Sequence, residues 1–336
     1  MKFPAFPSLI AASAVITMAG AATAQEVTWK MGFIGAVDST YLITTQSLPD
    51  RLDEATDGRL KVELYDTLYP GRAQVPALRD GKLDVIGGPN NYLSGETPIF
   101  GLGHLPGLID TPHEYARVLN DFHGANIEKE WDEKYNAKVL AHGMFDRQVI
   151  VCTQPIRSVT DFEGLKIRIN HYEGGQIISR VGAKPTSVPL GETVVAMERG
   201  VVDCIMTSVG TTHGLGFYNV ADYIHEWRIG PSVTWSFVVN NESWEALPDD
   251  LKEIVAREFE EIETEMFAHY DAHSIRMIDA QVAEGMERIT ATDEDVAELF
   301  SDELIDGVYE EWYGRAEEAG YDGPALVERA QTVLAK

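Results

Sequence analysis

Runs of apolar residues divide the chain into strands and helices that follow one another in turn. Residues 27–33 and 60–65 are apolar runs of strand length, and residues 45–55 between them carry apolar side chains at helical spacing. The same alternation returns after residue 160, which is typical of a mostly parallel sheet flanked by helices. The predicted elements are residues 27–33, 45–55, 60–65, 74–79 and 83–86, then 166–169, 175–181, 185–188, 193–199 and 203–206.

A short segment occurs in similar form in both regions. Residues 77–86 (ALRDGKLDVI) align with residues 196–205 (AMERGVVDCI), and the Ala, Gly, Asp and final Ile coincide. Each copy predicts a helix that ends near a Gly, followed by a tight turn into a buried strand. One such unit in each half of the chain is what two sister α/β lobes would show.

Residues 249–289 predict one long helix. Apolar residues recur there every three or four positions, the segment contains no Pro, and Gly285 is its only Gly. Asp249 and Asp250 favour a helix start at this point. At 1.5 Å per residue the helix would be about 60 Å long, so we expect it to bridge both lobes.

These patterns predict an α/β fold with two lobes, each a mostly parallel sheet flanked by helices. We expect residues 25–146 and about 232–265 to form lobe I, and residues 147–231 and about 266–336 to form lobe II. Strands at residues 147–153 and 235–240 are expected to cross between the lobes.

The first 24 residues have the features of a secretory signal peptide. Lys2 supplies a positive start, residues 9–22 are apolar and small, and Ala22-Thr23-Ala24 is a small-x-small cleavage signal. We therefore expect cleavage near Ala24 and a periplasmic protein. No later window contains 18 apolar residues, so we expect no insertion into the membrane.

The charge balance excludes some partners. The chain has 27 Lys and Arg against 54 Asp and Glu, a net charge of −27. A nucleic-acid-binding protein needs a basic face, and so does a protein that docks on an anionic membrane. We therefore expect neither partner. An anionic ligand would be opposed by the field of the whole protein and would depend on a few well-placed Arg residues.

Motifs for enzymes, metals and cofactors are missing. The sequence has no Gly-rich Lys-Ser/Thr phosphate loop, no dinucleotide-binding Gly pattern and no Gly-x-Ser-x-Gly elbow. We expect no cofactor and no metal. The two cysteines, Cys152 and Cys204, lie in strand-like runs without a metal-ligand spacing. They are either neighbours joined by a disulfide or two buried free thiols.

Small and polar residues follow several predicted strands, where ligands bind in open α/β sheets. Asn90 and Asn91 follow the strand at 83–86, Thr207 and Ser208 follow its counterpart at 203–206, and residues 170–172 follow a third strand. Arg168, at the end of that third strand, alternates with apolar neighbours and so faces away from the apolar side. It is predicted to point into a cleft or to be a surface residue of an edge strand.

These segments resemble the TRAP-type (tripartite, ATP-independent periplasmic) solute-binding proteins of the DctP type. Residues 161–169 (DFEGLKIRI) are similar to the segment that carries the family's carboxylate-binding Arg. Residues 182–189 (GAKPTSVP) and 196–203 (AMERGVVD) resemble two further family motifs, and the long helix follows residues 244–248 (WEALP) as it does there. The resemblance implies a two-lobed periplasmic-binding-protein-like fold, a small organic acid as ligand and a membrane permease as partner.

The resemblance also implies a ligand site. Arg168 would bind the ligand carboxylate through two parallel hydrogen bonds, and Arg147 would supply a second positive contact. Members that bind a metal carry Glu-Trp where this chain has Met206-Thr207, so we expect no metal. The candidate ligand-binding residues are Arg168, Arg147, Thr207, Asn90, Asn91, His171, Tyr92 and Ser208, with Phe33, Tyr41, Phe145 and Trp235 as apolar walls.

Other functions remain open at this point. A periplasmic lyase or hydrolase could use His171 or His213 as a base, and a sensor or scavenger would bind a ligand without transport. The sialate-type members have Asn where this chain has His171, so the ligand cannot be taken from them. It could be a hydroxy acid, dicarboxylate, sugar acid, aromatic acid, sulfonate or zwitterion.

Overall fold

The computed structural model describes residues 27–35, 38–66, 68–69, 71–230 and 232–336, and the predicted signal peptide lies outside them. The strands are β1 (Val27–Gly32), β2 (Leu60–Tyr65), β3 (Val85–Gly88), β4 (Ala137–Met144), β5 (Gln148–Cys152), β6 (Lys166–Arg168), β7 (Lys184–Thr186), β8 (Cys204–Ser208), β9 (Tyr223–Glu226), β10 (Thr234–Asn240) and β11 (Glu287–Thr290). The α-helices are α1 (Thr40–Ala55), α2 (Gln74–Arg79), α3 (Asn90–Leu93), α4 (Pro112–Val118), α5 (Gly124–Tyr135), α6 (Tyr172–Arg180), α7 (Thr193–Glu198), α8 (Val209–Gly214), α9 (Asn241–Glu245), α10 (Asp249–Ala283), α11 (Asp293–Leu299), α12 (Asp302–Glu318) and α13 (Gly323–Leu334).

The strands form two sheets. The first has the order β2-β1-β3-β10-β4, in which only β10 runs antiparallel to its neighbours. The second has the order β11-β9-β5-β8-β6-β7, in which β8, β6 and β7 are parallel and β5 is antiparallel to both β8 and β9. We call the first sheet with its helices the first lobe and the second sheet with its helices the second lobe. The predicted two-lobed α/β fold is confirmed.

Each sheet is covered on both faces. In β3, Val85 and Ile86 point into two different apolar clusters, and in β10 Val238 belongs to one cluster while Phe237 belongs to the other. Alternate residues of β5 divide between two further clusters in the same way. Sheets buried on both faces produce the nearly continuous apolar runs from which the strands were predicted.

Helix α10 links the two lobes. Its N-terminal half contributes Leu251, Phe259 and Met266 to the core of the first lobe, and near its C-terminal end Ile278 enters the core of the second lobe. Its 35 residues span about 50 Å. Among the residues that the structure describes, no helix is both long enough and apolar enough to cross a membrane.

Two expectations for the C-terminal part differ from the structure. The predicted helix 249–289 ends at Ala283, because Gly285 turns the chain with a φ of +110° and the following residues pair with β9 as β11. Residues 266–336 were expected in lobe II, but Trp312 and Val333 of the last two helices pack in a core of the first lobe. Their apolar positions identify a buried helix face but not the sheet that buries it.

The repeated segment forms the same local structure twice. Gly81 and Gly200 follow α2 and α7 with φ values of +66° and +65°, a backbone region that Gly adopts without strain. The shared acidic residue also has one role in both copies. Asp84 Oδ2 accepts from the backbone N–H of Lys30 at 2.8 Å, and Asp203 Oδ2 accepts from that of Lys166 at 2.9 Å. The repeat therefore fixes each strand beside its parallel neighbour.

The chain passes between the lobes through short segments and not along strands. Residues 145–147 connect β4 to β5, and residues 227–233 connect β9 back to β10. The two segments lie side by side, since the Phe145 N–H donates to the carbonyl of Val233 at 2.9 Å. The strands expected to cross, β5 and β10, each lie within one sheet. The two segments and α10 therefore connect the lobes, and so does α12, which packs Leu304 and Ile305 against the second lobe and Trp312 in the first.

Candidate functional site

A cavity of about 730 Å³ lies between the lobes at the carboxyl ends of their parallel strands. Residues that follow β1, β2 and β3 line one side, and residues that follow β6 and β7 line the other. This is where ligands bind in open α/β sheets. Of the predicted site residues, the structure brings five to the cavity: Phe33, Asn91, Tyr92, Arg168 and His171.

Arg168 is a buried cation without an acidic partner. Strand β6 lies inside the sheet between β7 and β8, and Arg168 is only 3% exposed, so it is not a surface residue of an edge strand. Its Nε donates to the Val188 carbonyl at 3.1 Å and its Nη1 to the Met206 carbonyl at 3.2 Å. Within the described ranges, no ion pair involves Arg168 and no hydrogen bond uses Nη2. The guanidinium is thus held in place with donors left over for an anion.

A chain of side-chain amides orients His171 beside Arg168. Gln148 Nε2 donates to the Ile229 carbonyl at 2.5 Å, so Gln148 Oε1 is the atom that accepts from Asn170 Nδ2 at 3.2 Å. Asn170 Oδ1 then faces His171 Nδ1 at 2.6 Å and can only accept, so Nδ1 carries the proton. Burial holds the pKa of His171 well below its ordinary value, and His104 and Arg168 lower it further. His171 is therefore neutral.

Asn91 joins the two lobes at the cavity. Its Nδ2 donates to the backbone carbonyl of Asn170 at 2.8 Å, across the boundary between the lobes. Its Oδ1 is buried and has no hydrogen-bond partner among the residues described. The adjacent Asn90 has a different environment. It accepts from Trp131 Nε1 and donates to Ser236 Oγ, both at 2.9 Å, so both ends of its amide are bonded inside the first lobe, and it does not line the cavity.

Arg147 does not line the cavity. Its Nη1 lies 2.8 Å from Glu226 Oε1 and its Nη2 lies 3.8 Å from Asp271, while Arg288 binds the other oxygen of Glu226 at 2.6 Å. Since Glu226 is buried, it holds Arg147 at the end of β9. The geometry therefore supports an ion-pair role for Arg147 and not the second ligand contact expected from the resemblance.

Other candidates lie within the lobes. Thr207 is buried in β8, and Ser208 caps α8 by accepting from the Thr211 N–H, so neither lines the cavity. Tyr41, Phe145 and Trp235 form an aromatic cluster with ring centroids 4.8 and 5.1 Å apart. Core packing therefore accounts for these three aromatic rings.

Several residues that line the cavity or support its lining were not among the predicted set. Residues 187–192 form a wall of the cavity directly after β7, where the strand-end rule that identified His171 also applies. Asn170 follows β6 and could have been found in the same way. Gln148 had no local signal, because it stands at the start of its strand and acts only through Asn170.

The family model of bacterial extracellular solute-binding proteins, family 7, matches residues 31–314. The chain belongs to this family. Its members are the DctP-type receptors of TRAP transporters, so the resemblance seen in residues 161–169 is confirmed.

Named relatives are similar over most of the chain. Identity to the sialic acid-binding periplasmic protein SiaP of Vibrio cholerae is 25% over 254 residues, 74% of this chain and 78% of that protein. Identity to the monocarboxylate 2-oxoacid-binding periplasmic protein of Nostoc is 26% over 273 residues, 79% and 74% of the two chains. The fold resembles that of a pyroglutamic acid-binding receptor of Bordetella pertussis with a TM-score of 0.82, 18% identity and coverage of 91% and 99%.

Family 7 proteins are receptors without catalytic activity, which removes the enzyme alternative. The two histidines proposed as bases have other partners. His213 Nδ1 lies 2.9 Å from Asp38 Oδ2 and does not line the cavity. His171 donates to an amide oxygen, and no carboxylate of the described residues is bonded to its ring.

We predict that chelation leaves ligand affinity unchanged. Met206 and Thr207 stand where metal-binding family members carry Glu-Trp, and both are buried in β8. Over the described part of the chain, no group of three or more His, Cys, Asp and Glu side chains is placed to hold a metal. Titration calorimetry with and without EDTA measures this. A loss of affinity in EDTA that calcium or sodium restores would contradict the prediction.

Proposed function

We propose that this protein is the periplasmic receptor of a TRAP-type transporter and binds a small organic acid in the cavity between its lobes. Arg168 carries the proposal, because it is buried, has no acidic partner in the described residues and lines the cavity. Burying an unpaired charge is costly, so such an Arg is expected to have an anionic ligand. Its remaining donors on Nη1 and Nη2 fit the two oxygens of a carboxylate.

The relatives support an organic acid with one carboxylate. SiaP binds sialic acid, the Nostoc protein binds 2-oxoacid monocarboxylates, and the Bordetella receptor binds pyroglutamic acid. The charges in this cavity agree with them. Arg168 is its buried cation, His171 is neutral, and the exposed Arg72 is paired with Glu96 at 2.5 Å. Since Arg147 lies elsewhere, a second carboxylate would have no buried positive partner.

A thermal-shift screen of small acids tests the proposal. A ligand at 100 times its dissociation constant adds about 2.7 kcal/mol to the free energy of unfolding, which raises the melting temperature measurably. Monocarboxylic acids should give shifts in the wild type and none in Arg168→Ala at the same concentrations. If none of the acids gives a shift in the wild type, the proposed function is wrong.

Export and delivery are part of the proposal. The relatives are periplasmic proteins, and residues 1–24 have the features of a signal peptide. We propose cleavage near Ala24 and transfer of the ligand to a membrane permease. The intact mass of protein isolated from the periplasm should correspond to a chain that begins close to Gln25. Uptake of the acid that the screen identifies should then require both this receptor and a permease.

We predict that ligand binding brings the lobes together. Asn91 and Arg168 line the same cavity from opposite lobes, and the lobes are connected by two short segments, α10 and α12. A ligand that contacts both sides favours the closed arrangement. Small-angle scattering should therefore give a smaller radius of gyration with saturating ligand than without it. The same radius in both conditions would argue against closure.

A further inference from the structure

The ring of His171 has one polar atom for which the described residues supply no partner. Its Nδ1 is used by Asn170, and none of the described residues makes a hydrogen bond to Nε2. His171 lines the cavity, and its Nε2 is not fully enclosed by the atoms around it. Asn91 Oδ1, in contrast, is fully enclosed and has no hydrogen-bond partner among the described residues. Nε2 therefore remains open to a partner that is not part of the protein.

The amide chain decides what kind of partner Nε2 can take. The Ile229 carbonyl can only accept, and this fixes first Gln148, then Asn170 and finally the proton on His171 Nδ1. A neutral imidazole with its proton on Nδ1 has a lone pair on Nε2. Arg168 lies close enough to lower the pKa of His171, which favours this neutral form. Nε2 is thus an acceptor on a residue that lines the same cavity as Arg168.

The stacked ring of His104 provides a comparison inside the same structure. Its centroid lies 4.4 Å from that of His171, but its Nε2 is already bonded to Thr234 Oγ1 at 3.0 Å. His104 does not line the cavity. The two neighbouring buried histidines therefore differ in one respect that concerns a ligand: His171 lines the cavity, and its Nε2 has no partner among the described residues.

We infer that His171 Nε2 accepts a hydrogen bond from the ligand, so that the cavity selects acids with a hydroxyl or N–H group next to the carboxylate. This inference rests on the proposed function, because it assumes that Arg168 holds the carboxylate. A 2-oxo acid would place a carbonyl oxygen against the lone pair of Nε2, two acceptors with no proton between them. A site built to bond a donor discriminates strongly against an analogue that lacks it.

Acids that differ at one position measure the selectivity. We would titrate lactate, pyruvate and propionate, and the corresponding trios built on 4-methylpentanoate and phenylacetate, into the wild-type protein by calorimetry. For every skeleton that binds, the 2-hydroxy acid should bind at least about tenfold more tightly than the 2-oxo and unsubstituted acids. Equal or tighter binding of the 2-oxo acid would overturn the inference.

Two histidine variants locate the effect. His171→Leu should reduce the preference for the 2-hydroxy acid to less than about threefold, whereas His104→Leu should keep it. Each variant is compared with itself on two ligands, so a general loss of stability does not alter the ratio. If His171→Leu retains the full preference, another residue reads the hydroxyl and the inference is wrong.

The protonation of His171 gives a readout that a purely structural role would not change. Imidazole nitrogen NMR of the loaded protein should show the proton of His171 on Nδ1, and Asn170→Leu should abolish that single form. Protonation on Nε2 in the wild type would overturn the inference. Failure of this inference can be told from failure of the proposed function. In the first case acids still bind in an Arg168-dependent way, and in the second no acid binds.

Discussion

Arg168→Ala should weaken acid binding by about 100-fold to several thousand-fold. The ligand carboxylate would be enclosed between the lobes without its positive partner, and an unmatched buried charge costs roughly 3–5 kcal/mol. Calorimetric titration of an acid that binds the wild type measures the change directly. Arg168→Lys should recover only part of the affinity, because an ammonium group cannot present two parallel donors to a carboxylate.

The same substitution should also lower stability to a moderate extent. The position of Arg168 on the side of its strand away from the apolar residues would by itself predict little change. The structure shows that Arg168 also donates to the carbonyls of Val188 and Met206. Leaving buried acceptors unpaired costs about 1–3 kcal/mol, so circular dichroism must confirm that the variant is folded at the temperature of the titration.

Arg147→Ala is the matched control. It removes an Arg that the family resemblance also placed at the ligand, but its side chain pairs with Glu226 outside the cavity. Glu226 keeps Arg288 as a partner in this variant. Affinity should therefore stay within about threefold of wild type. If Arg147→Ala loses as much affinity as Arg168→Ala, or if Arg168→Ala binds like wild type, the assignment of the carboxylate to Arg168 is wrong.

The sequence predicted the parts of the site that depend on local order. The end of a parallel strand points to the cavity whatever its partners are, so Asn91, Tyr92 and His171 could be identified from their positions after β3 and β6. The alternation of Arg168 with the apolar residues of its strand likewise predicted that its side chain points away from the apolar face. Burial and the lack of an acidic partner could not be predicted, because they depend on β7, β8 and the backbone around Val188.

Residues with distant partners were predicted less well. Asn90 and Asn91 have the same chemistry in adjacent positions, and only Trp131 and Ser236 decide that the first is structural. Arg147 is held by Glu226, which lies 79 residues further along the chain. The aromatic ring of Tyr41 packs on Trp235 from another part of the first lobe. None of these contacts leaves a periodic pattern in the sequence.

The alignment of the chain with itself carried more information about packing than about ligands. The Gly and Asp shared by residues 77–86 and 196–205 are explained by the turn and by the backbone N–H of the neighbouring strand. Neither residue lines the cavity. The repeated motif therefore predicted the architecture correctly, whereas ligand binding depends on residues at which the two lobes differ.

Removal of the disulfide should produce the second large effect. Cys152 in β5 and Cys204 in β8 are directly opposite each other in the sheet, with Cα atoms 4.2 Å apart, and the structure joins them in a disulfide. The sequence had left free thiols open as an alternative. The two cysteines are 52 residues apart in sequence. A crosslink that closes a loop of this size stabilises a protein by about 2–4 kcal/mol, mainly by restricting the unfolded chain.

We therefore expect Cys152→Ala with Cys204→Ala to lower the melting temperature by roughly 3–6 °C. A reducing agent should have a similar effect on the wild type and none on the double variant, which shows that it acts through this bond. The loop between the cysteines carries Arg168, His171 and the wall at 187–192, so the bond fixes the half of the cavity that provides the positive charge. Affinity well below the melting temperature should nevertheless stay close to wild type, since β5 and β8 remain paired along their backbones. Two free thiols titrated in wild-type protein that is denatured without a reducing agent would show that the bond does not form.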